Sequence, residues 1–206
     1  MKIKNMPKIE SPFVRKMIDK NYILVDEITE GYDWVFEDDS VMAIEKLHGT
    51  NVSIVIVEGT VTQIYNRTER IPFINKGKKW ITEGILNSKQ RGYLEFLGDG
   101  QFFGELIGKK VNGNPYKLDG HLWIPFDTFA QKHLRYKSWG KYPKTYQTIS
   151  KWFQDDLLPL YSSMQGNREG FVEGIVFTHP DGRMAKLRRD MFDWYTGRRH
   201  NGGVQN

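Results

Sequence analysis

Apolar residues in this chain come in short runs and alternations, and only a few stretches carry a helical period. The clearest early run is Val41-Met42-Ala43-Ile44-Glu45, which reads as a strand. After His48-Gly49-Thr50 comes Val52-Ser53-Ile54-Val55-Ile56-Val57, and beyond Glu58-Gly59 the positions Val61, Gln63 and Tyr65 continue an extended pattern. Residues 52–66 therefore predict a hairpin. Four more β-branched or aromatic runs predict strands at Gln101–Leu106, His121–Phe129, Phe171–Phe177 and Arg183–Arg188. Tyr146, Ile149, Trp152, Phe153 and Leu157 follow helical spacing and predict a core-facing helix over about 145–158. Residues 85–97 form a weaker helix candidate, interrupted by Gly92, and loop residues cluster at Gly108–Pro115 and Ser163–Gly170. The expected class is α+β, mainly antiparallel sheets with flanking helices, because strands and helices do not alternate as a doubly wound sheet requires.

Composition narrows the chemistry. With 206 residues, 39% hydrophobic and 27% charged, the chain can bury one core and is expected to form one main domain. It has no cysteine, which excludes disulfide scaffolds, thiolate metal sites and a cysteine nucleophile. No apolar run approaches the ~20 residues of a membrane span, and no apolar segment follows the N-terminal charges as in a secretory signal. The expected setting is a reducing cytoplasm without membrane attachment. Phosphate-loop, dinucleotide-fold and nucleophile-elbow motifs are all missing. The five histidines (48, 121, 133, 179 and 200) have no metal-ligand spacing.

Net charge is +5, modest for a partner of nucleic acid, but its distribution is uneven. Residues 131–151 hold Lys132, Arg135, Lys137, Lys141, Lys144 and Lys151 with no acid, interleaved with Tyr136, Trp139, Tyr142 and Tyr146. That mixture suits phosphate contact and base stacking, with Arg135, Lys137 and Lys141 as candidate nucleic-acid ligands; a solvated loop with inward aromatics would look the same.

The segment Glu45-Lys46-Leu47-His48-Gly49-Thr50-Asn51 ends an apolar strand on a lysine and then turns at a glycine. An unperturbed lysine is neutral in only roughly one part in 2,500 at pH 7, so burial or a neighbouring cation would be needed to make the amine a nucleophile. An ordinary strand-end lysine remains compatible with this segment alone.

The pattern Lys46-x-x-Gly49 after a short strand resembles the nucleophile motif of the covalent nucleotidyltransferases, the ligases and mRNA capping enzymes. With His48 in place of the usual aspartate it looks like that of nick-sealing RNA ligases. Further motifs follow in the family's order. Arg67, 21 residues after Lys46, resembles the arginine that contacts the ribose and orients the RNA end. Phe103-Gly104-Glu105 resembles the motif whose carboxylate binds ribose, and Phe126-Asp127 the one whose ring stacks on the purine. Glu173-Gly174-Ile175-Val176 is similar to the motif whose glutamate works through a divalent metal, and Ala185-Lys186-Leu187-Arg188 to the motif that grips the phosphates, with Arg188 where lysine is common.

The resemblance implies an ATP-grasp-like adenylyltransferase fold over residues 1–195, a basic tail over 196–206 and, with only 18 residues after Arg188, no accessory domain. It implies an ATP-dependent RNA ligase that joins 3′-hydroxyl and 5′-phosphate ends through a lysyl-AMP intermediate, with ATP and Mg²⁺ or Mn²⁺ required. Lys46, His48, Lys186 and Arg188 would carry the chemistry. Glu45, Asn51, Arg67, Glu105, Phe126 and Glu173 would join Lys46, Lys186 and Arg188 around the nucleotide, Glu173 also holding metal. His48, Thr50 and Arg67 would meet RNA, either single-stranded ends or a nicked duplex. A monomer working in a host cytoplasm, as for a bacteriophage enzyme, fits the size. A DNA ligase, a capping-type enzyme and a non-catalytic RNA-end module are the alternatives.

Overall fold

The computed structural model describes residues 2–199. In chain order these form β1 (Phe13–Ile18), β2 (Asn21–Ile28), α1 (Trp34–Glu37), β3 (Met42–Lys46), β4 (Thr50–Val57), β5 (Thr60–Asn66), β6 (Glu69–Ile71) and α2 (Lys79–Gln90). There follow β7 (Gly100–Gly108), β8 (His121–Pro125), α3 (Gln131–His133), α4 (Tyr146–Lys151), α5 (Leu160–Met164), β9 (Gly174–Thr178) and β10 (Met184–Arg188). The strands pair antiparallel in three sheets, ordered β1-β2, β10-β9-β3 and β6-β5-β4-β7-β8, so the α+β class holds. The chain divides into two compact units: residues up to Lys8 with Leu47–Leu134 and Leu160–Phe171, and Ile9–Lys46 with Arg135–Pro159 and the chain from Val172.

In the first unit, β4 is the central strand and is buried on both faces, which explains its unbroken apolar run. Val52, Ile54 and Ile56 on one face join Ile64, Ile81, Ile85, Leu106 and Trp123 in a core against α2. Trp123 fits only because residue 104 is glycine. A Cβ there would lie 2.5 Å from its ring and 2.6 Å from the Ile124 carbonyl oxygen, while the indole N–H donates to the Val52 carbonyl at 2.9 Å. The helix expected over 85–97 sits earlier, at 79–90. Gly92, with φ +77°, ends it, and Leu94 and Leu97 reach the core from turns instead.

In the second unit, the three-stranded sheet buries Ala43, Ile175, Phe177, Ala185 and Leu187. Its two edges are covered by single bridges, Glu10 beside Ala185 and Arg135 beside Ile44, which blunts open-edge pairing. The expected helix over 145–158 appears as α4 followed by a π-helical turn at 152–156, with Ile149 and Phe153 buried. Two strand expectations are shortened: the run to Phe129 ends at Pro125 and becomes a π-helical turn, and β9 begins at Gly174 rather than Phe171. Short apolar runs without alternation fit either backbone, so these boundaries were set by packing.

Candidate active site

The three-stranded sheet sets one row of the site by register. Lys46 pairs with Gly174, and Gly174 pairs with Arg188, at the ends of β3 and β10. Directly opposed residues share a face, so Lys46 and Arg188 flank a glycine, with Lys186 two positions along the same face as Arg188. Gly174 admits no side chain: a Cβ would lie 2.0 Å from the Leu187 carbonyl oxygen. The Lys46 Nζ donates to Glu173 Oε2 at 2.8 Å, the two side chains 22% and 11% exposed. The Arg188 Nε donates to Asp190 Oδ1 at 2.9 Å. Burial, then Arg188, then Lys46 push the Lys186 ammonium below its ordinary range, with Glu10 and Glu173 opposing.

Alternation sends Glu45 the other way. It pairs with fully buried Ile175 and is itself 3% exposed, so it lies on the core face, opposite Lys46. Two neighbours went unread in the sequence. The Glu10 carbonyl accepts the Lys186 N–H at 2.9 Å, and Arg15 on β1 is lowered in pKa by burial and then by Arg188. Neither belongs to an apolar run that would draw notice; the only signal was their charge.

The remaining motif residues lie in the other unit. The Gly49 N–H donates to Glu105 Oε1 at 3.0 Å, and the Asn112 amide donates to the Gly49 carbonyl at 2.6 Å, so the turn after the lysine is tied from two sides. A Cβ on Gly49 would lie 2.3 Å from the Leu106 carbonyl oxygen. The His48 N–H donates to the Tyr116 hydroxyl at 2.7 Å, and its ring lies 5.4 Å from that of Phe171. Asn51 pairs with Glu105 on β7, and Thr50 pairs with Leu106. The Asn51 amide nitrogen contacts Met6 Sδ at 3.0 Å, while its oxygen is enclosed and meets no donor among the described residues. Arg67 is exposed at the β5–β6 turn with φ +56°, away from these contacts in the chain, and Phe126 is half-buried just after β8.

In the basic stretch, Arg135, Lys137 and Lys141 are exposed, but most of the aromatics face inward. The Tyr136 hydroxyl donates to the Leu158 carbonyl at 2.7 Å, Trp139 stacks on Trp152 at 6.0 Å, and the Tyr146 hydroxyl donates to the Leu24 carbonyl at 3.1 Å. Tyr142 is the open one, 69% exposed. Of the expected basic tail, residues 200–206 lie outside the described residues. Arg199 is folded in, donating to the carbonyls of Asp190, Phe192, Asp193 and Tyr195.

A family model described as RNA ligase matches residues 39–193, from before Lys46 to beyond Arg188. The chain belongs to the RNA ligase family. The chain is 31% identical to RNA ligase 1 of Pongo abelii over 90 residues, 41% of its own length and 22% of the relative's. It is also similar to a solved structure of Naegleria gruberi RNA ligase, at 19% identity and a TM-score of 0.46, covering 90% of this chain and 58% of that one. A second structure of that enzyme, with ATP and Mn, gives 17% identity, a TM-score of 0.47 and coverage of 89% and 60%. The chain thus spans less than two thirds of the length of these relatives. Among the described residues no helix is long and apolar enough to cross a membrane, and no group of three or more His, Asp or Glu side chains is placed to hold a metal. A single carboxylate such as Glu173 still fits Mg²⁺ or Mn²⁺, since Mg²⁺ usually takes one or two carboxylates and fills its shell with water and substrate phosphate.

Proposed function

We propose that this chain is an ATP-dependent RNA ligase acting through Lys46. The reading rests on one observation: Lys46, held by Glu173 at 2.8 Å, shares a sheet face with Lys186 and Arg188. Three cations and one carboxylate on a rigid sheet end suit a triphosphate. They match the charge that develops when a phosphoryl group is displaced.

In the first step the Lys46 nitrogen, its proton released to water, attacks the α-phosphorus of ATP. A nitrogen–phosphorus bond forms, the bond to the bridging oxygen breaks and pyrophosphate leaves. Lys186 and Arg188 take up the phosphate charge, Arg188 in a fork geometry that lysine lacks. A divalent ion held by Glu173 would polarise the phosphate oxygens. AMP then passes from Lys46 to an RNA 5′-phosphate, and a 3′-hydroxyl attacks that phosphate to seal the strand and release AMP. His48, Thr50, Arg67, Arg135, Lys137 and Lys141 are assigned to RNA, and Asn51, Glu105 and Phe126 to the nucleotide. Glu45, from the core face, would act on the nucleotide only through Lys46's strand.

Intact mass after incubation with ATP and Mg²⁺ tests this. A gain of one AMP, reversed by pyrophosphate and absent in Lys46→Ala, is expected. No gain in the folded parent protein, or a gain retained by Lys46→Ala, would sink the assignment. Labelling by GTP instead of ATP would point to the capping-type alternative.

A further inference from the structure

Three lysines crowd into four positions just ahead of and into α2: Lys76, Lys78 and Lys79. They lie beside the β5–β6 turn that carries Arg67, because the Lys78 Nζ reaches Glu69 Oε2 at 3.2 Å. The same surface exposes two large apolar side chains, Ile74 at 95% and Phe73 at 42%. Lys78 apart, the loop is tied by side chains outside the cluster. Asn75 Oδ1 accepts from the Gly77 and Lys78 N–H groups at 3.0 and 3.1 Å, and the Thr82 hydroxyl donates to the Phe73 carbonyl at 3.0 Å. Lys76 and Lys79 are exposed and make no ion pair among the described residues. The helix's first turn carries no acid, so its cations oppose the helix dipole and cost stability. Two exposed lysines and a half-buried one that weaken their own element, next to solvent-facing apolar groups, fit a polyanion with stackable rings better than a solvated face.

We propose that this face extends the RNA contact beyond Arg67 and the 135–141 stretch, with Lys76, Lys78 and Lys79 meeting phosphates and Phe73 stacking on a base. The inference rests on the RNA ligase reading for its choice of polyanion. It places RNA on the five-stranded unit, on the α2 side of the β5–β6 turn.

The test is fluorescence anisotropy with a labelled single-stranded RNA carrying a 5′-phosphate, titrated across a range of KCl. Lys76→Gln/Lys79→Gln should bind about ten-fold more weakly and show a salt slope shallower by about 1.4, or ~0.7 for each phosphate of the single strand that is no longer neutralised. Lys76→Arg/Lys79→Arg should bind like the parent. Phe73→Ala should lose affinity several-fold with its slope kept, because stacking releases no counterions. AMP uptake from ATP, read by intact mass, should be unchanged in all three. Unchanged affinity and slope in the Gln variant would overturn the proposal, as would a parent protein whose RNA binding is insensitive to salt; a protein-docking face predicts the first of these. Loss of AMP uptake in the parent itself would count against the ligase reading and leave the salt slopes to judge this face separately.

Discussion

Lys186 sits where a charge is costly. It is partly withdrawn from water and stands beside Arg188 and Lys46, and both conditions disfavour its ammonium form. Its folded pKa is below the unfolded value of 10.5, so the folded protein holds this proton less tightly than the unfolded chain. The penalty is present in full below the folded pKa and disappears as pH rises through it toward 10.5. Lys186→Met should therefore raise the thermal midpoint of the ligand-free protein at neutral pH and flatten its gain in stability between neutral and alkaline pH. The same variant should lose AMP uptake from ATP. Paired melting curves at neutral and alkaline pH check the first part, and intact mass the second. A variant no more stable than the parent at neutral pH would show that the neighbouring carboxylates Glu10 and Glu173 already balance the cations.

At the scale of the element, strand alternation decided more than the motif did. Glu45 and Lys46 are adjacent, yet one faces the core and the other the cations, because successive strand residues point to opposite faces. The apolar run 41–45 marks the strand but not its faces, so the sequence places Glu45 beside the nucleotide. No such run marks the β1–β2 hairpin. Phe13 and Leu24 are its only buried residues, so no alternation shows, and its turn places Asp19 and Lys20 at φ 46° and 65° without the glycine that usually marks such a turn. In the five-stranded sheet the sequence motif Phe103-Gly104-Glu105 hides a packing requirement. Gly104→Ala should force Trp123 and the β8 backbone apart, costing about 1–3 kcal/mol, as overpacked cores do. Urea unfolding should show a lower midpoint with an unchanged slope; an unchanged midpoint would mean that the indole can shift without losing its bond to Val52.

For the whole molecule, binding and stability are linked. A ligand at 100 times its Kd adds about 2.7 kcal/mol to the folded state, which for a chain of this size is a rise of roughly 5–10 °C in the melting midpoint. ATP with Mg²⁺ should produce such a rise in this protein, Mn²⁺ should substitute, and EDTA should remove most of it. A shift with ATP that survives chelation would mean that Lys186 and Arg188 hold the phosphates without the ion assigned to Glu173.

The sequence alone determined those local elements that carry an apolar pattern, and the order of the chemical residues. Alternation, turn chemistry and motif spacing act over a few residues, so the 52–66 hairpin, β10 and the Lys46-x-x-Gly49 turn could be read directly. The tertiary structure decided what those residues meet. Lys46 meets a carboxylate 127 residues away, and the chain passes between its two units five times. It also turned most aromatics of 131–151 inward, where they serve the core. Such pairings depend on strand register and on burial on both faces of a sheet, which the folded chain sets cooperatively and no local spacing encodes.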